Sequence, residues 1–389
     1  MAQYNPKRVL RHISNSLKRE LFERQGHPLA VAWDRITDTQ IDPVFRAMQK
    51  LPEQTRKQTE IVLQDVDDLA NEEGIRVLVD EGQRRGLDFA SALEAMDSRW
   101  DKAMWVFLNH PDVWAPAAMF AAADRLSAGR SWTKRDEIPK VGPGMSQNEI
   151  GRLEGALSDY YRESQGRGHG KHVDHFSRGG GQDYYFVYLS DYADTHVSFD
   201  EKWEFHRSPD RRAFEIVFAY DRKAGTLEMY AKGGEKVVGA LQQIFSREIL
   251  GEDLPPVDPS KRPYRLDHLM RRRSGFATDP EDGIKRASII CMRFSVVGGS
   301  RERITVEANS DHRPDAIYDA MDRDLNQERL AQSILHVTKT TFEIRFTVDS
   351  QEEILTFDVY PKSCNLKSKR EAHRLIGEKY LKRWKIDGA

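Results

Sequence analysis

The chain has 389 residues, of which 39% are hydrophobic and 31% charged, with seven Trp, 13 Tyr and 17 Phe. That length allows two or three domains with a sizeable core, and the aromatic content excludes a disordered chain. A formal net charge of −2 excludes a global attraction to nucleic acid or membrane, so any basic site must be local.

The N-terminal MAQYNPKRVLRHISNSLKRELF has no apolar core of signal-peptide length. Residues 1–135 predict an all-helical domain. Val9, Ile13, Leu17, Leu21 and Phe22 share one stripe. Two amphipathic segments follow from Leu51, with Gly86 as a stop, and then one long helix from Asp88 to His110-Pro111, because proline disfavours helix in its predecessor. Asp112 is placed to cap another. The most apolar stretch, AMWVFLNHPDVWAPAAMFAAA, is interrupted at Asn109–Asp112, and nothing reaches the roughly 18 apolar residues of a membrane span.

Pro139, Gly142, Pro143 and Gly144 mark residues 136–145 as a linker, exposed to protease. Residues 146–389 then predict an α+β domain on antiparallel sheet. A helix over about 146–163 comes first. DYYFVYLS, DTHVSFDE, RAFEIVFAYD and GTLEMYAK read as strands. From Arg212 a strand, turn, strand, helix order runs three times, the second with Gly298-Gly299 at its turn. The proline-rich segment between the first two units, 251–283, is long enough to be mobile in part.

Three basic features are candidate sites. In GRGHGKHVDHFSRGGGQDYYFVYLSDY, Arg167, Lys171 and Arg178 precede an aromatic strand, so phosphate contact with base stacking on Tyr184 or Tyr185 is the expected nucleic-acid surface. His169, His172 and His175 lack ligand spacing, and no metal is expected. Neither GxxxxGK[ST] nor a strand-to-helix GxGxxG is present, and no cofactor is expected. Arg271–Arg273 can contact phosphates or pair with carboxylates. From Lys362 onward nine Lys or Arg face three Asp or Glu. There Ala372, Leu375, Ile376, Tyr380 and Trp384 form a docking stripe, with Lys369, Arg370, Arg374, Lys382 and Arg383 outside it.

Cys291, in the apolar run ASIICMRFSVV, and Cys364 make neither a disulfide framework nor a zinc pattern, so a reducing cytoplasm is expected. No GxSxG, HExxH or nucleophilic cysteine context occurs. The acids Glu215, Glu228, Asp200 and Glu201 lack the lysine spacing of a metal-dependent nuclease hairpin.

From about Gly166 to Ile386 the order of features (DYYFVY, RRAFEIVFAY, GTLEMYAKGG, YRLDHL, TDPEDGI, RITVEA, CNLKSK, YLKRW) resembles a group of uncharacterised bacterial proteins, some from mobile or phage-defence regions. The resemblance implies a defence or regulatory role, and no activity or site residue. The expected function is a cytoplasmic, non-enzymatic module that contacts nucleic acid or a protein partner, in a bacterial antiviral defence assembly. The rival reading is a metal-dependent nuclease or phosphoesterase with a non-standard motif.

Overall fold

Asn5 opens the fold by accepting hydrogen bonds from the amides of Lys7 and Arg8 at 3.0 and 3.2 Å, which starts α1 (Pro6–His12). The structure, a computed structural model, describes residues 4–127, 129, 131–178, 181–200, 202–256, 262–296, 303–311, 313–325, 334–348, 351–369 and 371–388. Gly298-Gly299, Arg370 and residues 257–261 lie outside these, as does the side chain of Ala372. The architecture is α+β. No helix among the described residues is long and apolar enough to cross a membrane.

Seven helices follow α1: α2 (Asn15–Arg24), α3 (Asp42–Met48), α4 (Glu53–Leu69), α5 (Glu72–Arg84), α6 (Ala90–Glu94), α7 (Arg99–Asn109) and α8 (Pro111–Ser127). The first stripe is buried as its spacing requires, from Val9 to Phe22. The expected long helix from Asp88 is two helices. Ser98 accepts from the amide of Asp101 and restarts the helix at Arg99. Pro111, and not a capping Asp112, begins α8.

The helix-to-strand change comes at Trp132, within the range expected to be all-helical. β1 (Trp132–Arg135) is followed by α9 (Gln147–Gln165), β2 (Lys171–Arg178), β3 (Gln182–Phe199), β4 (Phe205–Asp221), β5 (Thr226–Tyr230) and α10 (Glu235–Phe245). Next come β6 (Ile284–Val296), β7 (Arg303–Glu307), α11 (Ala316–Asp324), β8 (Leu335–Val348), β9 (Gln351–Tyr360), β10 (Ser363–Cys364) and α12 (Glu371–Arg383). The three strand–strand–helix units are β4-β5-α10, β6-β7-α11 and β8-β9-α12, each with an antiparallel pair. DYYFVYLS and DTHVSF are one strand, β3, and not two.

The strands form two sheets, ordered β1-β5-β4-β3-β2 and β10-β9-β8-β6-β7. In the first, Leu153, Leu157 and Tyr161 of α9 and Leu241 and Phe245 of α10 pack on Tyr185, Phe218 and Met229. A capping box between Ser146 and Glu149 begins α9. In the second, Ile317 and Met321 of α11, Tyr380 and Leu381 of α12 and Trp384 just after it pack on Phe294, Phe342, Ile344 and Phe357.

By contacts the chain forms two compact units, one of residues 1–123, 176–180 and 192–212, the other of 124–175, 181–191 and 213–389. The 136–145 segment is inside the second unit and is tied down. The Ile138 amide donates to the Gly225 carbonyl and the Gly144 amide to that of Ile249. Tyr220 Oη donates toward the carbonyls of Pro139 and Val141, and Tyr185 Oη to Gly144. Proline and glycine here shape an anchored, irregular path.

Edge to edge, the sheets meet where the Lys134 amide donates to the Lys362 carbonyl at 2.7 Å. A charge cluster lies under that junction. Glu228 of β5 accepts from Trp132 Nε1 at 2.6 Å and from Lys367 Nζ at 2.7 Å. Burial pushes the Glu228 carboxyl up, but the Lys367 ammonium and these two hydrogen bonds outweigh it, leaving it below its usual 4.5. Lys134 Nζ lies 2.9 Å from Asp387 and 5.3 Å from the Tyr264 ring centroid, so the C-terminal segment is drawn into the same junction.

Glu228→Gln leaves Lys367 without its counter-charge and costs about 3 kcal/mol at pH 7. Because the folded pKa lies below 4.5, the contribution is fully present above that pH and is lost as pH falls through the folded value. Denaturant melts of wild type and variant at stepped pH should show a gap that is full at pH 7 and narrows progressively as pH falls below 4.5.

Candidate functional site

Gly166 (φ +68°) ends α9 and Gly168 (φ +88°) turns the chain into β2. A Cβ on Gly168 would stand 3.1 Å from the Cβ of Tyr161. Ser158 Oγ donates to the Gly168 carbonyl, and the Gly170 amide donates to Ser190 Oγ. The loop is therefore built against α9 and β3.

The five expected nucleic-acid residues do not form one surface. Arg167 Nη1 pairs with Asp191 at 2.8 Å, its Nε donates to Gln165, and its guanidinium lies 4.0 Å from the Phe214 ring centroid. It is a brace between helix end and strand. Lys171 is exposed, and Arg178 lies over the Phe120 ring at 5.3 Å. Tyr184 and Tyr185 are 1% and 0% exposed, so neither can stack on a base. This corrects the expectation of one aromatic face outward: both faces of the first half of β3 are buried. Burial pushes the Tyr185 phenol far up, and its hydroxyl is used on Gly144.

The histidines of this stretch also separate. His172 pairs with Asp174 at 2.9 Å, His175 with Asp183 at 3.2 Å, and His169 is exposed. Among the described residues, the metal-capable groups that do converge are Asp200, Glu204 and His206, with ligand atoms within 4.8 Å. Asp200 is occupied there in closing a turn. Hydrogen bonds from the Glu204 amide, His206 and the Lys202 amide hold its carboxyl below the usual range.

Several cations of the other two basic features are paired within the chain. Arg272 pairs with Asp319. Lys379 pairs with Asp279 and Asp282, and Arg383 with Asp279. Tyr380 and Trp384 dock as expected, while Leu375 is 51% exposed.

A cleft of about 630 Å³ lies on the polar face of the second sheet, lined by Glu307, Asp311, Lys339, Glu343, Arg345 and Asp358 among others. Most of its charges are paired: Lys339 with Asp358 at 3.0 Å, Arg345 with Glu343 at 2.8 Å and also with Asp311. Burial and the Glu307 charge push the thiol of Cys291, on its wall, up, which disfavours its thiolate.

Sequence reasoning missed the distal half of the β3–β4 hairpin. The Ser190 amide donates to the Gly170 carbonyl, which marks the end of the run beside β3. β5 covers β4 only over Val217–Asp221. Between those limits no third strand flanks the pair among the described residues, and it forms a two-stranded arm. Tyr192, Val197, Phe199, Trp203 and Phe205 on this arm are 53–63% exposed. Phe199 and Phe205 meet edge to face across it, with centroids 5.7 Å apart. At the tip the Trp203 amide donates to the Asp200 carbonyl and the Asp200 amide to that of Glu204. Trp203 has φ +62°, a conformation that a bulky side chain rarely adopts. The Arg56 guanidinium lies 5.1 Å from its ring centroid and covers part of one face. The available signal was SFDEKWEFH, where aromatics persist although both alternating positions turn polar.

No protein-family model matches the chain, and no curated protein matches it.

Arg167→Ala should lower stability by about 2 kcal/mol through loss of the ion pair and ring contact. Alanine at Arg167, Lys171 and Arg178 together should leave single- and double-stranded DNA binding unchanged in low-salt anisotropy titrations. A large loss would restore the loop as a phosphate surface.

Proposed function

We propose that this protein is a cytoplasmic, non-enzymatic binding module that docks a protein partner through the β3–β4 arm. One observation carries the reading: of the nine large hydrophobic side chains found exposed among the described residues, five lie on this arm. Exposed apolar side chains scattered singly are ordinary, but a cluster marks an interaction surface, and Trp, Tyr and Phe are the side chains that anchor such surfaces.

Chemistry disfavours nucleic acid as the partner. Residues 192–212 carry five acids and four Lys or Arg, so the arm offers phosphates no net attraction. The paired charges of the cleft and its high-pKa thiol weigh against an enzyme. The resemblance to defence-associated bacterial proteins supplies the proposed setting, an antiviral assembly.

The test uses the full chain with Phe199, Trp203 and Phe205 all changed to serine. Tagged wild type from its host should elute in an assembly larger than one chain, and the triple variant as one chain with an unchanged melting temperature. Each ring removed should weaken docking about tenfold or more. An assembly that survives the triple change would show that the arm is not the docking surface.

A further inference from the structure

We infer that the occupant of the arm is the arm of a second copy of this chain, an inference that rests on the docking reading above. The charge sequence of the arm is complementary to itself. By sequence FDEKWEF (199–205) carries −2, while the two segments behind it, YADTHVS (192–198) and HRSPDRR (206–212), carry −1 and +2, a net +1 with histidine neutral. Two arms laid antiparallel bring each acidic tip against the other's basic stem. That is the self-complementary arrangement a twofold interface requires. Parallel apposition sets like charges together, so the register has a direction as well as an attraction.

Area sets the strength. Tyr192 stands on the opposite face of β3 from Val197 and Phe199, so Val197, Phe199, Trp203 and Phe205, about half exposed, yield on the order of 300–400 Å² per copy. Two copies then bury roughly 700 Å², the size of a weak interface. The expected dimer is therefore reversible, with a dissociation constant in the micromolar range. Pro209 removes a ladder donor from the outer part of β4, so the contact runs through side chains and not through a continuous ladder along β4.

The strained tip supplies a control that separates folding from docking. Glycine adopts φ +62° freely, so Trp203→Gly relaxes the backbone while deleting the most exposed ring on the arm, 63% accessible. The relief of strain offsets the lost contact with Arg56. The variant should keep the melting temperature of wild type and weaken self-association at least tenfold.

Sedimentation of the full-length protein from about 1 to 100 μM spans the expected constant. Wild type should show a monomer–dimer equilibrium that weakens with salt. Arg211→Glu with Arg212→Glu makes the whole arm acidic, and Glu201→Lys with Glu204→Lys makes it basic, so each double variant alone should be monomeric. Mixed in equal amounts they should form a one-to-one dimer, an outcome that misfolding cannot mimic. A wild type that is monomeric at 100 μM overturns the second-copy inference. It leaves the docking reading standing if the triple serine variant still loses its host assembly. A dimer indifferent to every arm substitution overturns both, and a mixture that stays monomeric overturns the charge-paired register.

Discussion

The two sheets meet edge to edge, and the half-buried carboxylate of Glu228 beneath that junction constrains much of the second unit. Glu228 sits on β5 opposite Lys134 of β1, where burial alone would make its charge costly. Trp132 and Lys367 resolve that cost, and they come from opposite ends of the unit. The short strand β1 is therefore joined in one step to the segment between β10 and α12, about which the second core is organised. A buried charge with two specified partners also fixes register: slipping β1 by one residue would turn Trp132 and Lys134 to the other face.

That junction explains why proline and glycine at 136–145 do not make a hinge. The chain leaves β1 committed to a sheet edge and must return over the same sheet to begin α9 at Gln147. Its carbonyls at Pro139, Val141 and Gly144 would be costly to bury unpaired, and the hydroxyls of Tyr220 and Tyr185 meet them. The same tyrosines could not have been available for stacking. Their hydroxyls serve the backbone of a neighbouring segment while their rings fill the core.

Periodicity made the fold class and the three strand–strand–helix units legible, because in each unit one strand face packs on helices and the other does not. It failed where that asymmetry failed. Tyr184 to Val187 are buried on both faces, so alternation carried no information about which ring faces water. Beyond Ser190 the strand has exposed side chains on both faces, and the polar interruption there read as a strand end. Charge was misleading for a different reason. Lys379 and Arg383 look like a basic surface in the sequence, yet their partners Asp279 and Asp282 are about a hundred residues away. Lys367, the ionic partner of Glu228, lies in the ordinary tripeptide Leu-Lys-Ser. Spacing along the chain could not connect it to Glu228.

The arm inverts the logic of the junction. At the junction, charge is tolerated inside because its partners are supplied by the same chain. On the arm, aromatic surface is left outside with no comparable supply. A two-stranded ribbon is marginal in water without a covered face, and within it Phe199 and Phe205 meet only edge to face. Arg56 shields part of the Trp203 ring and still leaves it 63% exposed. Trp203 adds backbone strain to that exposure. Strain at a surface turn persists when something gains from the geometry it imposes. Here it holds an indole in water where a smaller turn residue would have relaxed the backbone. Nearly balanced charge on the same arm offers a polyanion no net attraction. The fold thus satisfies the Glu228 carboxylate internally and carries on one arm five of the nine large apolar side chains found exposed among the described residues, and that asymmetry is what supports the proposed docking surface.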